Sequence, residues 1–302
     1  DRTRTFSINA EMVETDSFCI NQKRIENANR LCYDYDKSRL DASMWYGDKP
    51  SAGLPAIGER IHPGTSEDMQ MKKLYEALEI PKGVTAVVGG GGKTSLIDEL
   101  CRQLPGKILR LTTTRILPPK CPCLIDPRPS ELRQAFEEER VLCIASYAER
   151  DKLALPAVEL EPLLNMADYV LVEADGSRGL PLKAPNDKEP YLTGREAMVI
   201  AMAGMRGLQQ PIAEAAHRAE RYAALIRKTV TDTASPEDAA AVLESDAGLR
   251  KRVNCRFAVV LNQCDTPERL QLGRECAAAL QSPCFLTRLE SDPEWWMDGK
   301  EV

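Results

Sequence analysis

Val84-Thr85-Ala86-Val87-Val88-Gly89-Gly90-Gly91-Gly92-Lys93-Thr94-Ser95 is the stretch that decides the fold class of this chain. An apolar run, Val84 to Val88, leads into four glycines, a lysine and two hydroxyl residues, and an amphipathic run starts at Leu96. Strand, glycine loop, lysine and helix in that order make a phosphate-binding loop. Glycines let backbone N–H groups turn inward around phosphate oxygens. Lys93 is placed to reach the terminal phosphates and Thr94 to hold Mg²⁺. The positive end of the following helix adds to the same site. Gly89, Gly90, Gly91, Gly92, Lys93, Thr94 and Ser95 are therefore the expected nucleotide-binding residues. The loop is shorter than the usual G-x-x-x-x-G-K-[ST]. The first glycine of that pattern falls where Val87 stands, so the motif reads Gly89-x-x-Gly92-Lys93-Thr94. The bland alternative is a glycine-rich hairpin that happens to precede a lysine, in which four glycines would be entropically wasteful.

Outward from the loop, apolar strands alternate with amphipathic helices, the pattern of a mostly parallel α/β sheet with helices on both faces. Expected strands are Val84–Val88, Lys107–Leu111, Val141–Ala145, Tyr169–Val172, Ala197–Ala203, Phe257–Leu261 and Cys284–Thr287. Expected helices are Ser95–Gln103, Ser130–Glu139, Ala213–Lys228 and Pro236–Leu243. The last has Ser235 as N-cap, Pro236 in its first turn and Gly248 beyond its end.

The second informative feature is Tyr169-Val170-Leu171-Val172-Glu173-Ala174-Asp175, an apolar strand ending in two carboxylates one residue apart. A carboxylate at the tip of a strand beside the glycine loop holds Mg²⁺ or orients water. Alternation places Glu173 and Asp175 on one side if the strand continues. The following segment, Ser177 to Pro185, is a loop at the carboxyl edge of the sheet, where ligands bind. There Arg178 and Lys183 are candidates to meet phosphate or an anionic substrate, with solvated charges as the competing reading. After strand Lys107–Leu111, Thr113 and Thr114 can complete a Mg²⁺ sphere and Arg115 can stabilise phosphate charge. Threonines suit strand ends equally well for local reasons.

Asn262-Gln263-Cys264-Asp265 follows strand Phe257–Leu261. GTP-binding proteins place N-K-x-D at this point, and its aspartate reads guanine. Here Gln263 replaces the lysine, which weakens or changes guanine affinity. An Asn-to-Asp turn after a strand also arises for local reasons. Asn262 and Asp265 are retained as candidate base contacts, and His217, alone on its expected helix, receives no chemical role.

The chain has 302 residues with 43% hydrophobic and 28% charged content, an ordinary globular composition. Its net charge of −6 leaves no basic footprint for nucleic acid. No apolar run is long enough to span a bilayer and the N-terminus has no apolar signal core, so the expected location is the cytoplasm, without a membrane partner. Ten scattered cysteines and two histidines read as reduced thiols and exclude a histidine-rich metal centre. Cys121-Pro122-Cys123 lacks a second pair nearby in sequence. Residues 1–68 are polar, with a weak helix expected near Asn21 to Tyr33 and a Pro- and Gly-rich stretch from Gly47 to Gly64. They read as a poorly ordered extension or a gene-start artefact, ahead of a nucleotide-binding domain over 69–302.

Together, V-V-G-G-G-G-K-T-S, T-T-T-R-I-L-P, V-E-A-D-G-S-R-G-L-P-L-K-A-P, P-I-x-E-A-A-H-R-A-E and L-N-Q-C-D resemble the YqeC family, over about Met71 to Leu289. The block V-E-A-D-G-S-R-G is the most specific part, and the short loop is similar to that of the Mur-ligase branch of P-loop proteins. The resemblance implies a P-loop NTPase-type fold. It also implies a role as an accessory protein of selenium-dependent molybdenum hydroxylases such as xanthine dehydrogenase. Family members usually carry N-K-x-D where this chain has N-Q-C-D. The expected activity is binding and hydrolysis of ATP or GTP with Mg²⁺. In it Lys93 neutralises phosphates, Thr94 and Asp175 hold the metal, and Glu173 orients water or joins the metal sphere. The expected partners are the nucleotide and a molybdenum hydroxylase apoprotein or its selenium-containing cofactor. Two rivals remain open at this stage: an ATP-dependent ligase or kinase acting on a small substrate, and a non-catalytic chaperone that binds nucleotide or cofactor.

Overall fold

A computed structural model of the chain describes residues 72–149 and 152–300. The extension 1–68, with its expected helix near Asn21–Tyr33, lies outside the described residues, and those beyond Lys72 form one unit. In chain order the elements begin with α1 (Leu74–Ala77), β1 (Gly83–Gly89), α2 (Lys93–Gln103), β2 (Ile108–Thr112), β3 (Cys123–Ile125) and α3 (Pro129–Glu138). Then come β4 (Val141–Tyr147), β5 (Leu153–Ala154), α4 (Glu161–Leu164), β6 (Tyr169–Glu173), β7 (Leu182–Lys183), β8 (Glu196–Gly204) and α5 (Ile212–Ala215). The chain continues through β9 (Ala216–His217), α6 (Ala219–Leu225), α7 (Pro236–Glu244), β10 (Arg256–Asn262), α8 (Pro267–Ala279), β11 (Cys284–Arg288) and β12 (Asp292–Asp298).

The main sheet runs β12-β11-β10-β8-β1-β6-β2-β4-β3, with β5 paired to β4. From β11 to β3 every pairing is parallel; β12 and β5 are antiparallel additions at either side. The central strands β1, β6, β8 and β10 are largely apolar and buried, as strands covered on both faces are. On β1, Val84, Ala86 and Val88 pack into one core, with Leu132 and Phe136 of α3 and Val242 and Leu243 of α7. Val87 points to the opposite core and meets Leu96, Ile97 and Leu100 of α2. Those three recur at helical spacing, so α2 lies along the sheet with its first turn at the carboxyl end of β1.

Register brings the strand tips to one level. Val87 of β1 and Thr112 of β2 both pair with Glu173 of β6, while Gly89 pairs with Met202 of β8 and Asn262 with Gly204. The glycine loop, both carboxylates, the threonine run and Asn262 therefore share one edge of the sheet.

Three expectations change. The single helix expected over Ala213–Lys228 is two short helices, α5 and α6, split by β9. Ala216 and His217 pair with Leu182 and Lys183 in a separate two-stranded sheet. Arg218 then takes a left-handed φ of 64° and delivers both guanidinium N–H groups to Glu189. The tertiary pairing and this ion pair outweigh helix propensity, which is a weak prior. Helix α8 was missed although Thr266 caps it, accepting the Arg269 N–H at 3.3 Å, and Pro267 opens it. Strand β12 was missed because Asp-Pro-Glu reads as a loop. As an edge strand it tolerates charge and proline, and Trp296 stacks edge-to-face on Phe285 at 6.0 Å.

Candidate functional site

The site forms where β1 gives way to α2. Gly89, Gly91 and Gly92 take positive φ values of 100°, 75° and 121°. At Gly91 a side chain is barred, because a Cβ there would lie 2.3 Å from the Gly204 nitrogen. The loop thus lies directly on the end of β8. Its first three N–H groups are spent inside the protein. Gly89 donates to Asp175 Oδ2 at 2.9 Å, Gly90 to the Met202 carbonyl at 3.0 Å and Gly91 to the Leu180 carbonyl at 3.1 Å. The first glycines therefore shape the loop. The next N–H groups, from Gly92 to Ser95, open α2, and the first turn of a helix has no intrahelical acceptors for them. An anion is the natural partner for such a group of N–H donors.

Lys93 is folded back over its own loop, with 3% of its side chain exposed. Its Nζ donates to the Gly89 carbonyl at 2.7 Å and to Ser177 Oγ at 3.2 Å. It lies 3.2 Å from Asp175 Oδ1 and 4.0 Å from Glu173 Oε1. The approach to Oδ1 has an ion-pair distance without hydrogen-bond geometry, so that buried oxygen has no hydrogen-bond donor. Strand β6 ends at Glu173, yet Ala174 still bonds the Val87 carbonyl at 3.0 Å, which keeps both carboxylates on the loop side. Thr94 Oγ1 donates to Glu173 Oε2 at 3.2 Å. Burial pushes the Glu173 carboxyl above its ordinary range, and Asp175 adds to this; Lys93 and Thr94 pull it back. A carboxyl tuned upward beside a helix N-terminus is suited to taking or holding a proton.

Thr113 donates its N–H to the Glu173 carbonyl at 3.1 Å, and its buried hydroxyl has no hydrogen-bond partner in the described structure. Thr114 is turned back on Thr112, whose Oγ1 accepts the Thr114 N–H at 3.0 Å. Arg115 is exposed and pairs only loosely with Glu149, at 3.8 Å. Arg178 is exposed in a left-handed turn, φ 53°, with no ion-pair partner among the described residues. Asn262 is fully engaged. Its Nδ2 donates to the Gly91 carbonyl at 2.8 Å, and its Oδ1 accepts from Thr287 Oγ1 and the Leu289 N–H, both at 3.0 Å. Asp265 accepts from Ser291 Oγ at 2.9 Å and Arg269 Nη1 at 3.4 Å. In this state Asn262 braces the loop and Asp265 braces the turn that follows.

Sequence reading missed the network behind Asp175. Lys183, read from sequence as a candidate phosphate contact or a solvated charge, is fully buried, with Nζ 2.6 Å from the Gly176 carbonyl and 3.0 Å from both Asp175 Oδ2 and Glu189 Oε2. A lysine between two prolines in a loop carries no sequence signal of burial. Next to it lies His217, whose burial, with Arg218, Lys183 and Arg178 around it, lowers its pKa from 6.5 to about 4. The unfolded chain therefore takes up this proton first as pH falls. His217 contributes stability that is complete above pH 6.5 and is lost toward about pH 4. His217→Gln is expected to flatten the pH dependence of urea stability over that interval; an unchanged slope would refute the assignment.

The cysteine pair also gains a neighbour. Cys123 of β3 pairs in register with Cys143 of β4, and the Cys123 side chain, followed by burial, drives the Cys143 thiol well above its ordinary range. Among the described residues, no group of three or more His, Cys, Asp or Glu side chains could hold a metal ion. No described helix is long and apolar enough to cross a membrane.

Residues 85–220 match the family model described as YqeC protein. The chain is also 32% identical over 214 residues to the Uncharacterized protein YqeC of Escherichia coli (strain K12), covering 66% of this chain and 82% of that protein. The chain belongs to the YqeC family. The family-model match, residues 85–220, contains the glycine loop, the threonine run, Glu173 through Lys183, and His217 with Arg218, and it stops before Asn262. In this YqeC chain the residues converging on Lys93 and Asp175 thus lie within the matched segment, whereas Asn262 and Asp265 lie outside it.

Proposed function

We propose that this protein binds a nucleoside triphosphate with Mg²⁺ on Gly89–Ser95 and hydrolyses it, as an accessory protein in the maturation of selenium-dependent molybdenum hydroxylases. In this reading residues 69–302 are a P-loop nucleotide-binding domain, and 1–68 an extension to it. The observation that carries the nucleotide reading is the placement of Lys93. Its ammonium is buried against Gly89, Ser177 and two carboxylates, at the mouth of a helix whose first N–H groups have no intrahelical acceptor. The client enzyme comes from family resemblance, which supports it without a contact of its own.

The residues fit the cation the reading requires. Asp175 has a buried oxygen lacking a donor, and Glu173 and Thr94 stand together beside it. Mg²⁺ takes oxygen ligands, one or two carboxylates with substrate phosphates, so a closed protein cage is not needed. Thr94, Asp175 and Glu173 would hold it, and it would neutralise phosphate charge. Gly92 to Ser95 would bind phosphate oxygens through their N–H groups, and Lys93 would turn from the Gly89 carbonyl toward them. Where Glu173 stays outside the metal sphere, it would instead accept a proton from an attacking water. Thr113, with its spare hydroxyl, is placed to orient that water or the metal's water shell. Arg178, exposed and without an ion-pair partner among the described residues, would meet the outer phosphates. Arg115, tied to Glu149, would have to swing to do the same.

The base contacts would fall to Asn262 and Asp265 only if both exchanged their present partners. ATP is accordingly favoured over GTP. A thermal-shift panel of ATP, GTP and CTP with Mg²⁺ tests this, since a ligand that binds only the folded state raises the melting temperature. ATP is expected to give the largest rise. A larger rise with GTP would restore Asn262 and Asp265 as base readers, and no rise with any of the three would defeat the nucleotide reading.

A further inference from the structure

Asp175 is a buried carboxylate between two buried lysines. On one side Lys93 stands 3.2 Å from Oδ1; on the other Lys183 stands 3.0 Å from Oδ2. The two lysines are held differently. Lys93 is attached to the loop it must serve, through the Gly89 carbonyl and the Ser177 hydroxyl. Lys183 is anchored from behind by the Gly176 carbonyl and by Glu189, and Glu189 is itself clamped by Arg218 at 2.7 and 3.0 Å. Its strand position is set by the pairing of β7 with β9.

If Lys93 is to turn to phosphate, it has to leave Asp175. A buried carboxylate stripped of its counter-charge is strongly destabilised, so it resists losing its last cation. We propose that Lys183 is a positioning residue of the nucleotide site: it is the standing counter-charge of Asp175 that lets Lys93 leave for the phosphates. Glu189 and Arg218 keep Lys183 in place and so extend the site back to the two-stranded sheet. The proposal rests on the nucleotide reading above and goes beyond it in assigning roles to Lys183, Glu189 and Arg218. It also fits the break in the expected helix, since Arg218 reaches Glu189 from a left-handed position.

The test measures binding of ATP and GTP without Mg²⁺, in EDTA, by calorimetry on the full chain. This isolates the lysine–phosphate contact from metal binding. Lys183→Met leaves Asp175 with Lys93 alone and is expected to weaken binding by about tenfold or more, and Lys183→Arg to recover most of it. Adding Asp175→Asn to Lys183→Met removes the charge that traps Lys93. Binding should then return to within about threefold of wild type. A purely structural role for Lys183 predicts no such rescue. Equal affinity of Lys183→Met and wild type, or an equal loss in the single and double variants, would overturn the proposal. If Lys183→Met does not fold, Asp175→Asn alone decides: released Lys93 should tighten metal-free binding by about threefold, and no gain overturns the idea. If wild type itself binds neither nucleotide, the nucleotide reading fails first, which separates the two failures.

Discussion

Replacing Lys93 by alanine is expected to abolish nucleotide binding, with an affinity loss of about a hundredfold or more. A charge-assisted hydrogen bond contributes about 1.5–3 kcal/mol, and an ammonium between phosphates makes more than one. The loss should be visible as the disappearance of heat in titrations with Mg²⁺-ATP. The variant is expected to stay folded. Asp175 keeps Lys183 at 3.0 Å and the Gly89 N–H at 2.9 Å, so no buried carboxylate is left bare. This separates the variant from Asp175→Ala, which would leave Lys183 facing Glu189 alone. Unchanged Mg²⁺-nucleotide binding by Lys93→Ala would end the assignment of Gly89–Ser95 as a phosphate site, whatever the family relationship.

The second large effect is on stability. Gly91→Val is expected to cost about 3 kcal/mol or more, from two sources of about 1–3 kcal/mol each. One is the backbone, which at φ 75° admits a β-branched residue only with strain. The other is space, because the new Cβ would stand 2.3 Å from the Gly204 nitrogen and 2.5 Å from its Cα. Neither atom belongs to a flexible side chain, so β1 and β8 would have to part at their ends. In a domain of this size the melting temperature should fall by roughly 6–12 °C. A melting temperature within a degree or two of wild type would mean that the loop does not rest on β8 as described. Gly83→Ala, at the start of β1, is a useful control: its φ is also positive, 92°, but nothing lies within 4 Å of an added Cβ. It should therefore show the strain term alone.

Much of the candidate site was legible before any tertiary contact was known. The four glycines before Lys93, and the Glu173-Ala174-Asp175 tip of an apolar strand, are local patterns tied to backbone conformation and strand periodicity. Their convergence needed only that two parallel strands be neighbours, and β1 and β6 are. Elements with a continuous apolar signal, such as β8 and β10, were found within a residue or two of their ends. Elements held by context were not. Strand β12 pairs at an edge where charge is tolerated, and β9 exists only because β7 lies beside it.

Residue types and spacing thus determined that a glycine loop follows β1 and opens a helix, that carboxylates stand beside it and that the sheet is mostly parallel, because strand and helix periods and glycine conformation act over a few residues. Only the tertiary structure decided what each polar group is paired with. It turned three glycine N–H groups inward, assigned Asn262 to the Gly91 carbonyl, and buried Lys183 behind Asp175 with Glu189 and Arg218. Those pairings join residues from 6 to 171 positions apart. Their energetics depend on burial, which raises the cost of every unpaired charge and which no local stretch of sequence records.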